Sequence, residues 1–141
     1  LSLRKALFDC GHRGYRVALR GVAGRPDIAF TKQRLAVFVH GCFWHRCQIC
    51  NLSLPKSHTS FWKRKFELNA ERDERKRRQL EAAGWAVLEI WECQIESDVA
   101  ACVALVAKAL GSQSGRLDAA DESAELAARR RRLARNNLGR A

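Results

Sequence analysis

Near the start of the chain the apolar residues Leu3, Ala6, Leu7 and Cys10 recur at helical spacing, and Gly11 stands where such a helix would stop. Residues 15–20 alternate as a strand does, residues 21–26 are Gly- and Pro-rich turn, and residues 27–30 and 34–40 read as two more strands around Thr31, Lys32 and Gln33. This pattern predicts an antiparallel meander. Residues 41–60 show no period and contain Pro55; a loop of that length usually carries a function or is held by a metal. From Phe61 to Ala83 the period is helical again, with Thr59 or Ser60 as the expected N-cap and Gly84 as the stop. Residues 85–91 read as a strand and residues 97–110 as a helix with one apolar face. The order helix, three strands, long helix, strand, helix specifies an α/β fold with a mixed sheet.

After Gly111 the pattern changes. The segment "SQSGRLDAADESAE" is linker-like and "LAARRRRLARNNLGR" is basic, so we expect a folded domain over residues 1–111 and a linker with a basic tail over residues 112–141. A chain of 141 residues with 47% apolar content supports one core. Its formal charge of +11 favours a polyanionic partner, nucleic acid before an anionic membrane, because clustered cations displace counterions from phosphates. No apolar run is long enough to span a bilayer and no signal peptide is evident, which predicts a cytoplasmic, nucleoid-associated protein. The absence of any Met, even at position 1, leads us to expect a further N-terminal segment.

Six cysteines without a secretory signal read as metal ligands and buried thiols rather than disulfides. Cys42, Cys47 and Cys50 are spaced C-x4-C-x2-C, and Cys93 follows a predicted strand. Four thiolates suit tetrahedral Zn²⁺ in a closed, structural site that would pin the long loop to the sheet. The alternative is a mixed site in which His45 replaces Cys93. Cys10 and Cys102 lie on apolar helical faces and are expected to be buried and inert.

If Lys32 and Gln33 form the hairpin turn, facing positions sum to 65, and Asp27, Phe38 and His40 share one face. Asp27 is then diagonal to His40 at roughly 7 to 8 Å or less. A carboxylate can hold Mg²⁺ and a nearby imidazole can move a proton, the requirements of metal-assisted phosphodiester hydrolysis. Equally, Asp27 could serve a Gly-Arg-Pro-Asp turn and His40 could merely end a strand. On the long helix, Trp62, Phe66, Asn69, Asp73, Arg77 and Leu80 form one stripe, so Asp73 faces inward and needs a partner. That partner is either the site or Arg77. Phe43 and Trp44, in the loop, and Trp62 fit a wedge that stacks on or between bases, or else a local core around the metal. Lys63, Arg64 and Lys65 suit phosphate contacts.

The segments "GRPDIAF", "VFVHGCFWHRC", "FWKRKFELNAERD" and "GWAVLEIWEC", in this order over about Leu3 to Cys93, resemble the very-short-patch-repair (Vsr) mismatch endonucleases, a branch of the PD-(D/E)xK restriction-endonuclease-like fold. The resemblance implies an Mg²⁺-dependent enzyme that nicks one strand of double-stranded DNA at the T:G mismatch left by deamination of 5-methylcytosine. It assigns Asp27 to the catalytic metal, joined by the backbone carbonyl of Val39. It makes His40, His45 and Asp73 the remaining catalytic residues and Phe43, Trp44 and Trp62 the wedge. Cys42, Cys47, Cys50 and Cys93 take the place of the family's structural Zn²⁺ ligands, where histidine is replaced by cysteine here. The family's first-helix glutamate would fall immediately before Leu1. The Glu-x-Lys element usual in the wider fold is absent: "FVH" occupies its place, with His40 where the Lys would stand. The resemblance further implies a monomer that meets mismatch-repair proteins. The other readings are a nuclease of different target, serving phage defence or a mobile element, and a zinc-stapled DNA-binding module without catalysis.

Overall fold

The computed structural model describes residues 2–138. Its elements run α1 (Ser2–Asp9), β1 (Arg16–Val17), β2 (Ile28–Phe30), β3 (Leu35–His40), α2 (Thr59–Ala82), β4 (Ala86–Trp91), α3 (Glu92–Ser97) and α4 (Val99–Leu138). The four strands form one sheet in the order β1-β2-β3-β4, antiparallel between β1, β2 and β3 and parallel between β3 and β4. The chain is therefore mixed α/β, as its pattern predicts. The β2–β3 register pairs Ile28 with Val37, Ala29 with Ala36 and Phe30 with Leu35, so facing numbers do sum to 65.

Alternation sorts the sheet into two faces. Ile28, Phe30, Leu35, Val37 and Ile90 pack with Leu3 and Leu7 of α1 and with Cys102, Val103 and Val106 of α4 in the main core. On the opposite face, Phe38 and His40 of β3 and Val87 and Glu89 of β4 line a crevice with Asp73, Lys76 and Arg77 of α2. Only a crossover of some length can join parallel neighbours, and α2 is that crossover. Its two buried residues are Leu80 and Phe66, the latter packed against Phe43 of the loop. Gly24 packs over this arrangement in a left-handed conformation (φ +74°), where a Cβ would come 3.1 Å from the Phe38 ring. Glycine is the residue that tolerates both conditions.

Several expectations need correction. The first strand is only Arg16–Val17, because Ala18 turns to a positive φ of 48°. Cys10 is exposed, since α1 ends at Asp9 and Gly11 follows at φ +91°. The N-cap of α2 is His58, in the left-handed region, while the Thr59 hydroxyl donates back to the carbonyl of Pro55. A short helix, α3, follows β4 directly, with the Trp91 N–H donating to Gln94 Oε1 at 2.9 Å. Most plainly, the linker-like segment is helical: α4 continues unbroken through it. Pro is absent from residues 112–138 and Ala and Arg are their commonest residues, so extending an established helix costs little. Gln113 anchors α4 beside the β2–β3 hairpin, donating to the carbonyls of Gln33 and Arg34 at 3.2 and 3.1 Å. No helix among the described residues is long and apolar enough to cross a membrane.

Candidate active site and metal centre

His40 and Trp91 are paired at the C-terminal ends of the two parallel strands, and the long loop of residues 41–58 starts from that edge. Short backbone hydrogen bonds curl its first part: His45 N–H donates to the Gly41 carbonyl, Cys47 N–H to Cys42 and Asn51 N–H to Cys47. Arg46, at φ 55°, donates to the Leu52 carbonyl and lays its guanidinium 4.6 Å from the centre of the Phe66 ring. These contacts send alternate side chains of one short segment to different destinations.

One destination is a cysteine cluster. The sulfurs of Cys42, Cys47, Cys50 and Cys93 all lie within 4.8 Å of one another. Cys47 Sγ and Cys93 Sγ are 3.8 Å apart. A tetrahedron of sulfurs about 2.3 Å from Zn²⁺ has edges of about 3.8 Å, so the donor set and spacing fit such an ion. Burial and hydrogen bonding with Cys50 and Cys42 push the Cys93 thiol up to about 12, so a cation is what would make all four sulfurs ligands at neutral pH. His45 takes no part in this cluster, which argues against the mixed set.

The second destination is the face under α2. His45 Nδ1 lies 2.6 Å from Asp73 Oδ2, and the His40 ring sits 4.2 Å from the His45 ring, centre to centre. Ligand atoms of His40, His45 and Asp73 all fall within 4.8 Å of one another. Asp73 thus satisfies its need for a partner with His45, and Arg77 pairs instead with Glu89, Nη2 to Oε1 at 2.6 Å. His40 is buried, and its pKa is lowered first by that burial and then by His45, against the opposing pull of Glu89 and Asp73. An open cleft of about 400 Å³ is lined by both histidines, Asp73, Arg77, Glu89 and Trp91.

Asp27 stands apart from that cluster. Its Oδ2 accepts the Val39 N–H at 2.8 Å, and the residue borders a cavity of about 270 Å³ with Leu3, Arg4, Val17, Ala18, Ile28 and Val39. The carboxylate is exposed, so its second oxygen is free to share a divalent cation with water and a phosphate, as Mg²⁺ sites commonly do. Asp27 and His40 are therefore one residue apart through the Val39 backbone, yet open on different hollows.

The aromatics form a third feature. Phe43 packs edge-on against Trp44, Trp62 and Phe66, with ring centres 5.2, 5.8 and 5.4 Å away. Trp44 is 47% exposed and Phe61, which pattern reasoning passed over, is 60% exposed. Lys65 Nζ lies 5.3 to 5.9 Å from the rings of Trp44, Trp62 and Phe61, while Lys63 and Arg64 are exposed on the same turn. The wall is anchored by Phe43 and Phe66 and offers Trp44 and Phe61 to solvent. Sequence reasoning also missed Glu89 and the role of Arg77; a lone carboxylate in the apolar strand "AVLEIW" was the available signal.

Residues 1–51 match the sequence profile of the DNA mismatch endonuclease Vsr family. The chain is 43% identical over 102 residues to a type II nicking enzyme of Xanthomonas oryzae, covering 71% of this chain and 72% of that protein. It is 34% identical over 122 residues to a type II nicking enzyme of Neisseria meningitidis serogroup C, covering 82% and 78%. Similarity to the DNA mismatch endonuclease Vsr of Escherichia coli is 40% over 81 residues, or 57% and 52% of the two chains.

Proposed function

The chain belongs to the Vsr family of DNA endonucleases, and from that premise we propose that it nicks one strand of duplex DNA at T:G mismatches, in very short patch repair of deaminated 5-methylcytosine. The observation that carries this reading is the His45–Asp73 contact of 2.6 Å beside His40, in a cleft that Trp91 and Arg77 also line. The PD-(D/E)xK type of fold is part of the same reading.

Asp73 accepts the Nδ1 proton of His45, which leaves Nε2 with its lone pair available to take a proton from an attacking water. His40, kept neutral at neutral pH by burial, is the second proton-handling group in the cleft. Asp27, with the Val39 carbonyl, would hold Mg²⁺, which when bound supplies charge to a phosphate oxygen and lowers the pKa of bound water. Cys42, Cys47, Cys50 and Cys93 would hold a structural Zn²⁺ that fixes the loop carrying His45 and Trp44. Trp44 enters beside the mismatch with Phe43 and Trp62 backing it in the wedge, and Lys63, Arg64 and Lys65 meet the adjacent phosphates.

Strand-resolved cleavage of matched and T:G-mismatched duplexes, with Mg²⁺ and with EDTA, tests this directly. Nicking confined to the mismatched strand in Mg²⁺ supports the proposal, and equal cutting of both duplexes removes mismatch recognition from it. The names of the Xanthomonas and Neisseria relatives favour a second reading, a strand-nicking enzyme of another target. Nicking of matched duplex in one sequence context would establish that alternative.

A further inference from the structure

Glu89 sits in β4 between Leu88 and Ile90, which pack in the main core, and opposite Phe38 in the parallel register. Partners in register send their side chains to the same face, so Glu89 emerges beside Phe38 and His40 under α2. Every other residue of this six-residue strand is apolar. A carboxylate there must be compensated, and Arg77 does so at 2.6 Å. Its location is also costly for another reason: a cleft that takes a DNA phosphate gains nothing from an extra negative charge. A pair of apolar residues would close the same sheet–helix contact without either problem.

The same oxygen that meets Arg77 lies 3.7 Å from His40 Nε2. This is outside hydrogen-bond length but close enough for the carboxylate charge to act on the ring. The two neighbouring histidines thus each face one carboxylate, but through opposite nitrogens: His45 through Nδ1 and His40 through Nε2. We propose that Glu89, held by Arg77, is a positioning residue that keeps the proton of neutral His40 on Nε2, so that Nδ1 of His40 is the acceptor in the cleft. His45, whose proton Asp73 keeps on Nδ1, then offers Nε2, and the two rings are locked as opposite tautomers. This inference deepens the nuclease reading and rests on it for its catalytic meaning.

Two measurements test it on the full chain. Nitrogen-15 NMR of the metal-loaded wild type at neutral pH should show His40 protonated on Nε2, and Glu89→Gln, which replaces the anionic acceptor by a neutral amide, should shift that population towards Nδ1. Nicking kinetics on whichever duplex the wild type cuts should show kcat lowered about ten-fold in Glu89→Gln with KM unchanged, and partly recovered in Glu89→Asp. A wild-type His40 protonated on Nδ1 overturns the proposal, as does a Glu89→Gln enzyme of unchanged kcat or one affected in KM alone. A wild type that cuts no duplex defeats the nuclease reading instead, while the NMR result still decides whether Glu89 sets the His40 tautomer.

Discussion

His45 and Asp73 meet at 2.6 Å although they stand 28 positions apart in the chain. A side chain from an irregular loop is thereby aligned by the rigid helix that crosses over the sheet. If that contact fixes the His45 tautomer, Asp73→Asn should lower the nicking rate by about 10²–10⁴-fold, the usual worth of a positioned general base. DNA affinity should barely change. Single-turnover rates and equilibrium binding on the same duplex separate the two, and a loss of binding at constant rate would count against the role.

Trp44 and Phe43 are adjacent but do different work. Trp44→Ala should leave thermal stability within about 0.5 kcal/mol, as for an exposed substitution. It should weaken DNA binding by about 1–3 kcal/mol if a base stacks on it. Phe43→Ala removes the ring that contacts Trp44, Trp62 and Phe66, and should destabilise the free protein by about 3 kcal/mol. Melting curves and fluorescence binding isotherms resolve these outcomes; equal loss of stability in both variants would deny the division between support and display.

The cysteine cluster predicts a metal-linked stability. Zinc should be present in stoichiometric amount in protein purified without chelator, and strong chelation should lower the melting temperature and nicking together. Cys47→Ala should remove the ion and cost several kcal/mol, since metal binding is coupled to ordering of the loop. By contrast Cys10→Ala, at an exposed position outside the cluster, should leave metal content unchanged. Metal analysis with differential scanning calorimetry checks both.

These contacts were unequally legible in the chain. The β2–β3 register follows from alternation around Lys32 and Gln33, a local relationship, and the α2 stripe through Asp73 follows from helical period alone. The convergence of four cysteines was readable because metal chemistry limits the ligand types and spacing. Glu89 and Arg77 were not readable, because their meeting depends on how α2 is set over β4. Nor was the reach of α4: residues 112–125 have linker composition, yet the helix begun on the core runs through them. The partner of Asp27 was half legible. Strand register brings it near β3, but its choice of the Val39 N–H over the histidines is a matter of side-chain rotation.

That long helix supports a separate expectation about the domain limit. Residues 123–135 are exposed almost throughout, whereas Gln113 is buried and tied to the hairpin carbonyls. A chain ended at residue 122 should therefore keep its melting temperature, while Gln113→Ala should cost about 1 kcal/mol, because it removes the donor to the Gln33 carbonyl whereas the Arg34 carbonyl keeps the Ala86 N–H. Removing Arg129, Arg130, Arg131 and Arg132 with the tail should flatten the salt dependence of DNA binding only if they meet phosphates. Calorimetry and a salt titration of binding give the two answers independently.

Cys102 provides the pH test. It is buried against α1 and the sheet, and burial, with Asp98 adding to it, raises its thiol pKa above the ordinary 9.0. The folded state then holds this proton more tightly than the unfolded chain does. Its contribution to stability is fully present below the unfolded thiol value and is lost as pH rises through the folded one. Wild type should accordingly exceed Cys102→Ala in stability by about 1 kcal/mol at neutral pH, with the gap shrinking at alkaline pH. Urea melts of both chains from neutral pH to above pH 9.0 follow the gap. A gap that widens with pH would mean that the thiolate, not the thiol, is the form stabilised in the core.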